Sequence, residues 1–318
     1  MEHAESFSFA FTFTDPEGVD IYVYRRLPVR RTPIRGIVQI AHGMAETAAR
    51  YARFAEKLAA AGFAVYANDH RGHGRTAGKP DNIGYLGKDG FNRMADNVSQ
   101  LTEILEEAHP ELPIFLFGHS MGSFVTQKVM YTHPEPYAGI VLSGSNGKRG
   151  PELHIGKRIA RWEAARKGDR HRSELMNNLS FGGFNRAFRP NRTDFDWLSS
   201  DEAEVDAYIA DPYCGGVFTS GFFRDFLYGL ADIHRPDNMR RIPRGLPVLL
   251  VAGDRDPVGR FGKGVLSLAA AYRKLGMAHI DCRLYPGGRH ELLNETNREE
   301  VMRDIIDWIE KRLPVSGR

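Results

Sequence analysis

Hydrophobic and small or polar residues alternate near the start of the chain, in Phe7-Ser8-Phe9-Ala10-Phe11-Thr12-Phe13 and again in Val19-Asp20-Ile21-Tyr22-Val23-Tyr24. Between them stands the turn-forming run Asp15-Pro16-Glu17-Gly18, so the pattern predicts an antiparallel hairpin. After the hairpin the alternation gives way to short apolar runs: Gly36 to Ala41, Phe63 to Ala67, Ile114 to Phe117, Gly139 to Leu142, Val248 to Ala252 and Ile280 to Tyr285. Strands buried on both faces have this character. Helical periodicity fills the intervals, over Tyr51 to Ala61, Phe91 to Glu107, Ser123 to Tyr131, Gly264 to Leu275 and Arg298 to Leu313. Strand followed by helix, repeated, predicts an α/β protein with a doubly wound, mainly parallel sheet, in which ligands bind beyond the carboxyl ends of the strands.

The alternation stops between Gly150 and Pro236, where aromatic residues, Arg and Gly accumulate without a buried-strand run. This predicts an inserted helical lid over residues 150–236, with a core built from 1–149 and 237–318. Within it Ile155, Ile159 and Trp162 fall on one helical face, and Lys157, Arg158, Arg161 and Arg166 spread over the others. Two uses suit such a helix: its apolar face closes a site, or it lies on an anionic lipid surface as a peripheral contact. Phe218, Phe222, Phe223, Phe226 and Tyr228 either line an acyl-chain tunnel or form the core of the insertion.

Composition adds little but excludes several classes. A hydrophobic share of 42% over 318 residues permits a sizeable core. No apolar run approaches the roughly 20 residues of a membrane-spanning helix, and Met1 to Glu5 lead into nothing resembling a secretory signal, so a cytoplasmic protein is expected. Cys214 and Cys282 are too few for a disulfide scaffold. A net charge of +3 gives no reason to expect nucleic acid as a partner, although basic residues cluster at Arg25, Arg26, Arg30 and Arg31 and from Lys157 to Arg172.

The chemistry is carried by three short segments. Gly118-His119-Ser120-Met121-Gly122 follows an apolar strand and precedes a helix, so Ser120 sits on a tight strand-to-helix turn, the geometry of a nucleophile elbow. A serine hydroxyl needs a base and an orienting carboxylate to act at neutral pH. Gly253-Asp254-Arg255-Asp256 ends a later strand with two carboxylates, and Gly287-Gly288-Arg289-His290 follows the last strand, giving the order serine, acid, histidine. Backbone amides are needed for the oxyanion: that of Met121, directly after the serine, and that of Met44 in His42-Gly43-Met44. His70 and His73 invite a metal reading, but no further ligands stand at suitable spacing, and neither metal nor cofactor is required.

Taken together, His42-Gly43-Met44-Ala45-Glu46 with Arg50-Tyr51, Asp69-His70-Arg71-Gly72-His73-Gly74, and the elbow resemble the α/β-hydrolase superfamily, and within it monoacylglycerol lipases and bacterial lysophospholipase-like serine hydrolases. The resemblance runs from Gly36 to the C-terminal helix. It implies a triad of Ser120, Asp256 and His290, with Asp256 rather than Asp254 in the acid position. It also implies a small-molecule ester or lipid substrate cleaved through an acyl-enzyme. The chain departs from the family in carrying Thr47-Ala48 where a further polar residue, often His, is usual. A short-chain carboxylesterase, an acyltransferase or amidase on the same triad, and a non-catalytic binder of small ligands are the alternatives.

Overall fold

The computed structural model describes residues 9–29 and 32–314. Met1 to Glu5, the first two residues of the expected hairpin, Phe7 and Ser8, and the basic pair Arg30 and Arg31 lie outside the described residues. The hairpin joins β1 (Phe9–Thr14) to β2 (Asp20–Arg26) in the antiparallel register Phe13↔Ile21. Its turn is tied by the Asp15 side chain, whose Oδ1 accepts from the amides of Glu17 at 2.9 Å and Val19 at 3.0 Å.

The remaining strands are β3 (Gly36–Ala41), β4 (Phe63–Asn68), β5 (Ile114–His119), β6 (Tyr137–Ser143), β7 (Val248–Gly253) and β8 (Ile280–Tyr285). They complete an eight-stranded sheet in the order β1-β2-β4-β3-β5-β6-β7-β8, parallel from β4 onward. Every residue of β3, β4, β5 and β7 is buried, which explains their mainly apolar character; Gln39, the polar residue inside β3, is paired with the Val98 carbonyl and the Thr102 hydroxyl. The last strand departs from expectation. It lies at the sheet edge, where Asp281 and Arg283 are exposed, so it is a half-buried strand rather than one covered on both faces.

Helices cover both faces. α1 (Ala52–Ala60) and α10 (Arg298–Glu310) pack Phe54, Leu58, Met302, Ile305 and Trp308 against Val38, Phe115, Phe117 and Val251. α2 (Gly90–Ala108), α3 (Met121–Thr132) and α9 (Lys263–Lys274) pack Phe91, Val98, Val125 and Leu268 against Ile37, Leu116 and Leu250. Successive residues of one strand thus serve opposite layers, as a doubly wound sheet demands.

Between β6 and β7 the chain forms α4 (Glu152–Lys167), α5 (Glu174–Phe181), α6 (Glu202–Ala210), α7 (Ser220–Asp232) and α8 (Pro236–Arg240). α4 packs on α7 and buries Ala160, Glu163 and Ala164. The expected apolar face therefore splits: Ile155 and Ile159 border the cavity described below, whereas Trp162 is 54% exposed. The small alanines allow close approach to α7, and that rotation turns Trp162 outward. The aromatic run divides in the same way. Phe223 and Phe226 line the cavity, Phe218 and Phe222 are core, and Tyr228 is exposed beneath the Lys157 ammonium. Among the described residues no helix is long and apolar enough to cross a membrane.

Candidate active site

Ser120 occupies the single residue between β5 and α3, at φ 49° and ψ −117°. A non-glycine residue there is strained, and the surroundings must impose it. The Ser120 amide donates to the Ser143 carbonyl at 2.9 Å, while its own carbonyl accepts from the Ser123 hydroxyl at 2.6 Å. Gly122 makes the turn sterically possible: a Cβ there would stand 2.1 Å from the Ala41 carbonyl oxygen. The strain holds the Ser120 hydroxyl over the ends of the strands.

Asp256 and His290 are brought to it by the loops after β7 and β8. His290 Nε2 lies 2.8 Å from Ser120 Oγ, and its Nδ1 lies 3.0 Å from Asp256 Oδ1. The same carboxylate oxygen accepts from the Val258 amide at 2.8 Å, which fixes its direction. Of the two carboxylates in that loop, Asp256 is fully buried and faces the imidazole, whereas Asp254 is exposed and accepts from the Gly287 amide. Burial alone would push the His290 pKa down. The Asp256 charge and hydrogen bond, with Glu291 and Glu46 behind them, reverse this and raise it.

Met44 and Met121 both line the same cavity as Ser120. The loop carrying Met44 lies against the serine, since a Cβ on Gly43 would come 3.3 Å from Ser120 Cβ. Met121 is the first residue of α3, where the amides lack intrahelical partners and the helix dipole favours negative charge.

A buried ionic cluster, not anticipated from the sequence, joins these loops. Arg50 Nη1 and Nη2 donate to the two Glu291 carboxylate oxygens at 2.6 and 2.7 Å, and Nη1 donates to Glu46 at 2.8 Å. Glu46 in turn accepts from the Gly43 amide at 2.5 Å and from the Tyr51 hydroxyl at 2.8 Å. Arg50 therefore links the residue next to His290 with the loop that carries Met44. Burial alone would raise the Glu291 carboxyl, but Arg50 beside it brings it down to about 2. Glu46 goes the other way, raised by burial against the pull of Arg50. The only signal in the sequence was the Glu46 to Arg50 spacing; Glu291 stands 241 positions from Arg50.

His42, His70 and His73 pack together, with ring centroids 4.4 and 5.1 Å from His42. Burial drives His70 down to about 3 and His73 to about 4, so the rings are neutral. Among the described residues no group of three or more His, Cys, Asp or Glu is placed to hold a metal ion. His119, down to about 3 through burial, lies with its ring tilted against that of His290, 4.8 Å between centroids.

The cavity above Ser120 has a volume of about 830 Å³ and is walled largely by the insertion. Trp197 lies 5.2 Å from the His290 ring, and the Glu291 amide donates to the Leu198 carbonyl at 2.8 Å. On the other side the Tyr208 hydroxyl donates to the Ala45 carbonyl at 2.9 Å.

The profile of the family described as serine aminopeptidase, S33, matches residues 32–297. The chain is a member of this α/β-hydrolase family. The hydrolase is 31% identical over 286 residues to a monoacylglycerol lipase of Mycolicibacterium smegmatis, covering 89% of this chain and 90% of that protein. It is 26% identical over 290 residues to the monoglyceride lipase of Mus musculus, covering 89% and 85%. Among solved structures it superposes with a TM-score of 0.89 on a thermostable carboxyl esterase from Bacillus coagulans, at 30% identity over 96% of this chain and 99% of that one. The hydrolase is a serine ester hydrolase resembling monoacylglycerol lipases.

Proposed function

We propose that this hydrolase cleaves monoacylglycerol or lysophospholipid-like esters through an acyl-enzyme on Ser120. The observation that carries the reading is the 2.8 and 3.0 Å relay from Ser120 through His290 to Asp256, opening into a large and mostly apolar cavity. Ser120 Oγ attacks the ester carbonyl and His290 Nε2 takes its proton, then returns it to the leaving alcohol. Water attacks the acyl-enzyme by the same route and releases the acid. Asp256 orients the imidazole and stabilises its charged form. The amides of Met44 and Met121 hold the oxyanion in both steps. The scheme consumes no cofactor.

In this reading residues 150–236 are a lid over a core of 1–149 and 237–318. Its exposed Ile155, Trp162 and Leu179 meet lipid at the periphery of a membrane, and the protein works in the cytoplasm without a nucleic-acid partner. The similarity to a carboxyl esterase supports a second reading, a general esterase of short chains. A nitrophenyl ester series from acetate to palmitate, with monoacylglycerol and lysophosphatidylcholine alongside, separates the two. Turnover rising with chain length and reaching the lipids supports the first, and turnover confined to short esters the second. Ser120→Ala should abolish turnover while leaving the circular dichroism spectrum unchanged; residual activity in that variant overturns the assignment of the nucleophile.

A further inference from the structure

One residue on the cavity wall is out of keeping with the rest. Among the described residues that line the cavity, Arg149 is the sole Arg or Lys. Two deeply buried guanidiniums are met by carboxylates: Arg50 by Glu46 and Glu291, and Arg71 by Asp15 and Glu17. Arg149 has no ion pair and no hydrogen bond to any described residue, and the charges around it act on it only through space. Of these, Arg260 adds a second cation, and Asp256 is already committed to His290. Lys148 lies near enough that both it and Arg149 depress the buried His234. That leaves Glu152, whose carboxylate accepts from the Gly150 amide at 2.9 Å at the start of α4. Arg149 thus faces the cavity near Asp256 with no anion bonded to it, Glu152 acting on it only through space.

The guanidinium stands half-buried on the cavity wall with no anion hydrogen-bonded to it, so its donors are free to take one. Its planar fork suits the two oxygens of a carboxylate or phosphate. We propose that Arg149 binds an anionic group of the substrate, a phosphate or a carboxylate, so that the preferred ester is an anionic amphiphile rather than a neutral monoacylglycerol. Burial lowers the Arg149 pKa, and the Glu152 carboxylate opposes this only through space. The proposal rests on the acyl-enzyme reading for turnover, but not for binding.

Two matched pairs test it and tell the two sources apart. 1-Oleoylglycerol against 1-oleoyl-lysophosphatidate places the anion on the alcohol side. Methyl laurate against the monomethyl ester of dodecanedioic acid places it on the acyl side. In at least one pair the anionic ester should have a kcat/KM roughly 10–100-fold above its neutral twin, the worth of a charged hydrogen-bonded contact. Arg149→Gln should collapse that ratio, and Arg149→Lys should restore part of it. A ratio the same in wild type and Arg149→Gln in both pairs overturns the proposal. Binding is read separately in Ser120→Ala, where decyl phosphate or decanoate should raise the melting temperature more than decanol does. Loss of that difference in Ser120→Ala/Arg149→Gln supports the site even if no ester is turned over; equal stabilisation by all three compounds overturns it.

Discussion

Replacing Arg50 by Met removes one cation from between two buried carboxylates while keeping most of the side-chain volume. The Arg50 side chain is 8% exposed, Glu46 4% and Glu291 6%, so water cannot substitute for the lost partner. The drop of the Glu291 carboxyl from its ordinary 4.5 to about 2 corresponds to on the order of 3 kcal/mol at neutral pH. This agrees with the roughly 3–5 kcal/mol that breaking a buried pair generally costs. For a domain of this size the melting temperature should fall by roughly 4–8 °C at pH 8. The pH dependence identifies the cause. In the wild type, the depressed Glu291 contributes stability that is present above the usual glutamate range and lost as pH falls towards 2. Without Arg50, burial raises the Glu291 pKa against only the weaker pull of His119 and the Asn294 hydrogen bond, so its ionised form is costly at pH 8 and relieved by protonation in mild acid. Urea unfolding at pH 8 and pH 5 should therefore give a gap between wild type and variant that narrows on acidification. Glu46→Gln/Arg50→Met/Glu291→Gln should recover part of the loss, because no unpaired charge remains. A gap below about 1 kcal/mol at pH 8, or one that does not change with pH, would refute the reasoning.

Two further outcomes follow from the site. In the proposed mechanism His290 must be neutral to accept the Ser120 proton, and its raised pKa moves that requirement to the alkaline side of an ordinary histidine. The kcat/KM profile should fall on the acid side with an apparent pKa above 6.5, and Asp256→Asn should shift that limb to lower pH as well as slow the reaction. Gly122→Ala should lose soluble, folded protein or several kcal/mol of stability in urea unfolding, because its Cβ would overlap the Ala41 carbonyl and the strand-helix contact cannot open without moving Ser120.

Much of this molecule could be read from local pattern because its determinants are local. The central strands are mainly apolar because both faces are covered, and the elbow declares itself through two glycines around a serine at a strand-helix junction. Misreadings arose where the third dimension decides. Ile280, Cys282 and Leu284 alternate with Asp281 and Arg283, but hydrophobic content alone made the segment look like an inner strand. In α4 the helical wheel grouped Trp162 with Ile155 and Ile159, whereas packing of Ala160 and Ala164 set the rotation. The residues of the acid loop offered two carboxylates, and only the direction imposed by the Val258 amide turns Asp256 to the imidazole. Nothing in the order of residues announces that Glu291 meets Arg50, since that contact depends on two loops converging at the same sheet edge.

The chain departs from the sheet after Ser143 and returns at Val248, and the two strands concerned are immediate neighbours, paired from Ile140↔Val248 to Ser143↔Val251. The whole excursion thus begins and ends at adjoining points, like a handle fixed by both feet to one plank. Its length can therefore change without disturbing the register of any strand. The freedom has a boundary. A transplanted handle would have to supply anew the carbonyl that Leu198 offers to Glu291 and the hydroxyl that Tyr208 offers to Ala45, because those two fastenings join it to the loops that carry His290 and Met44.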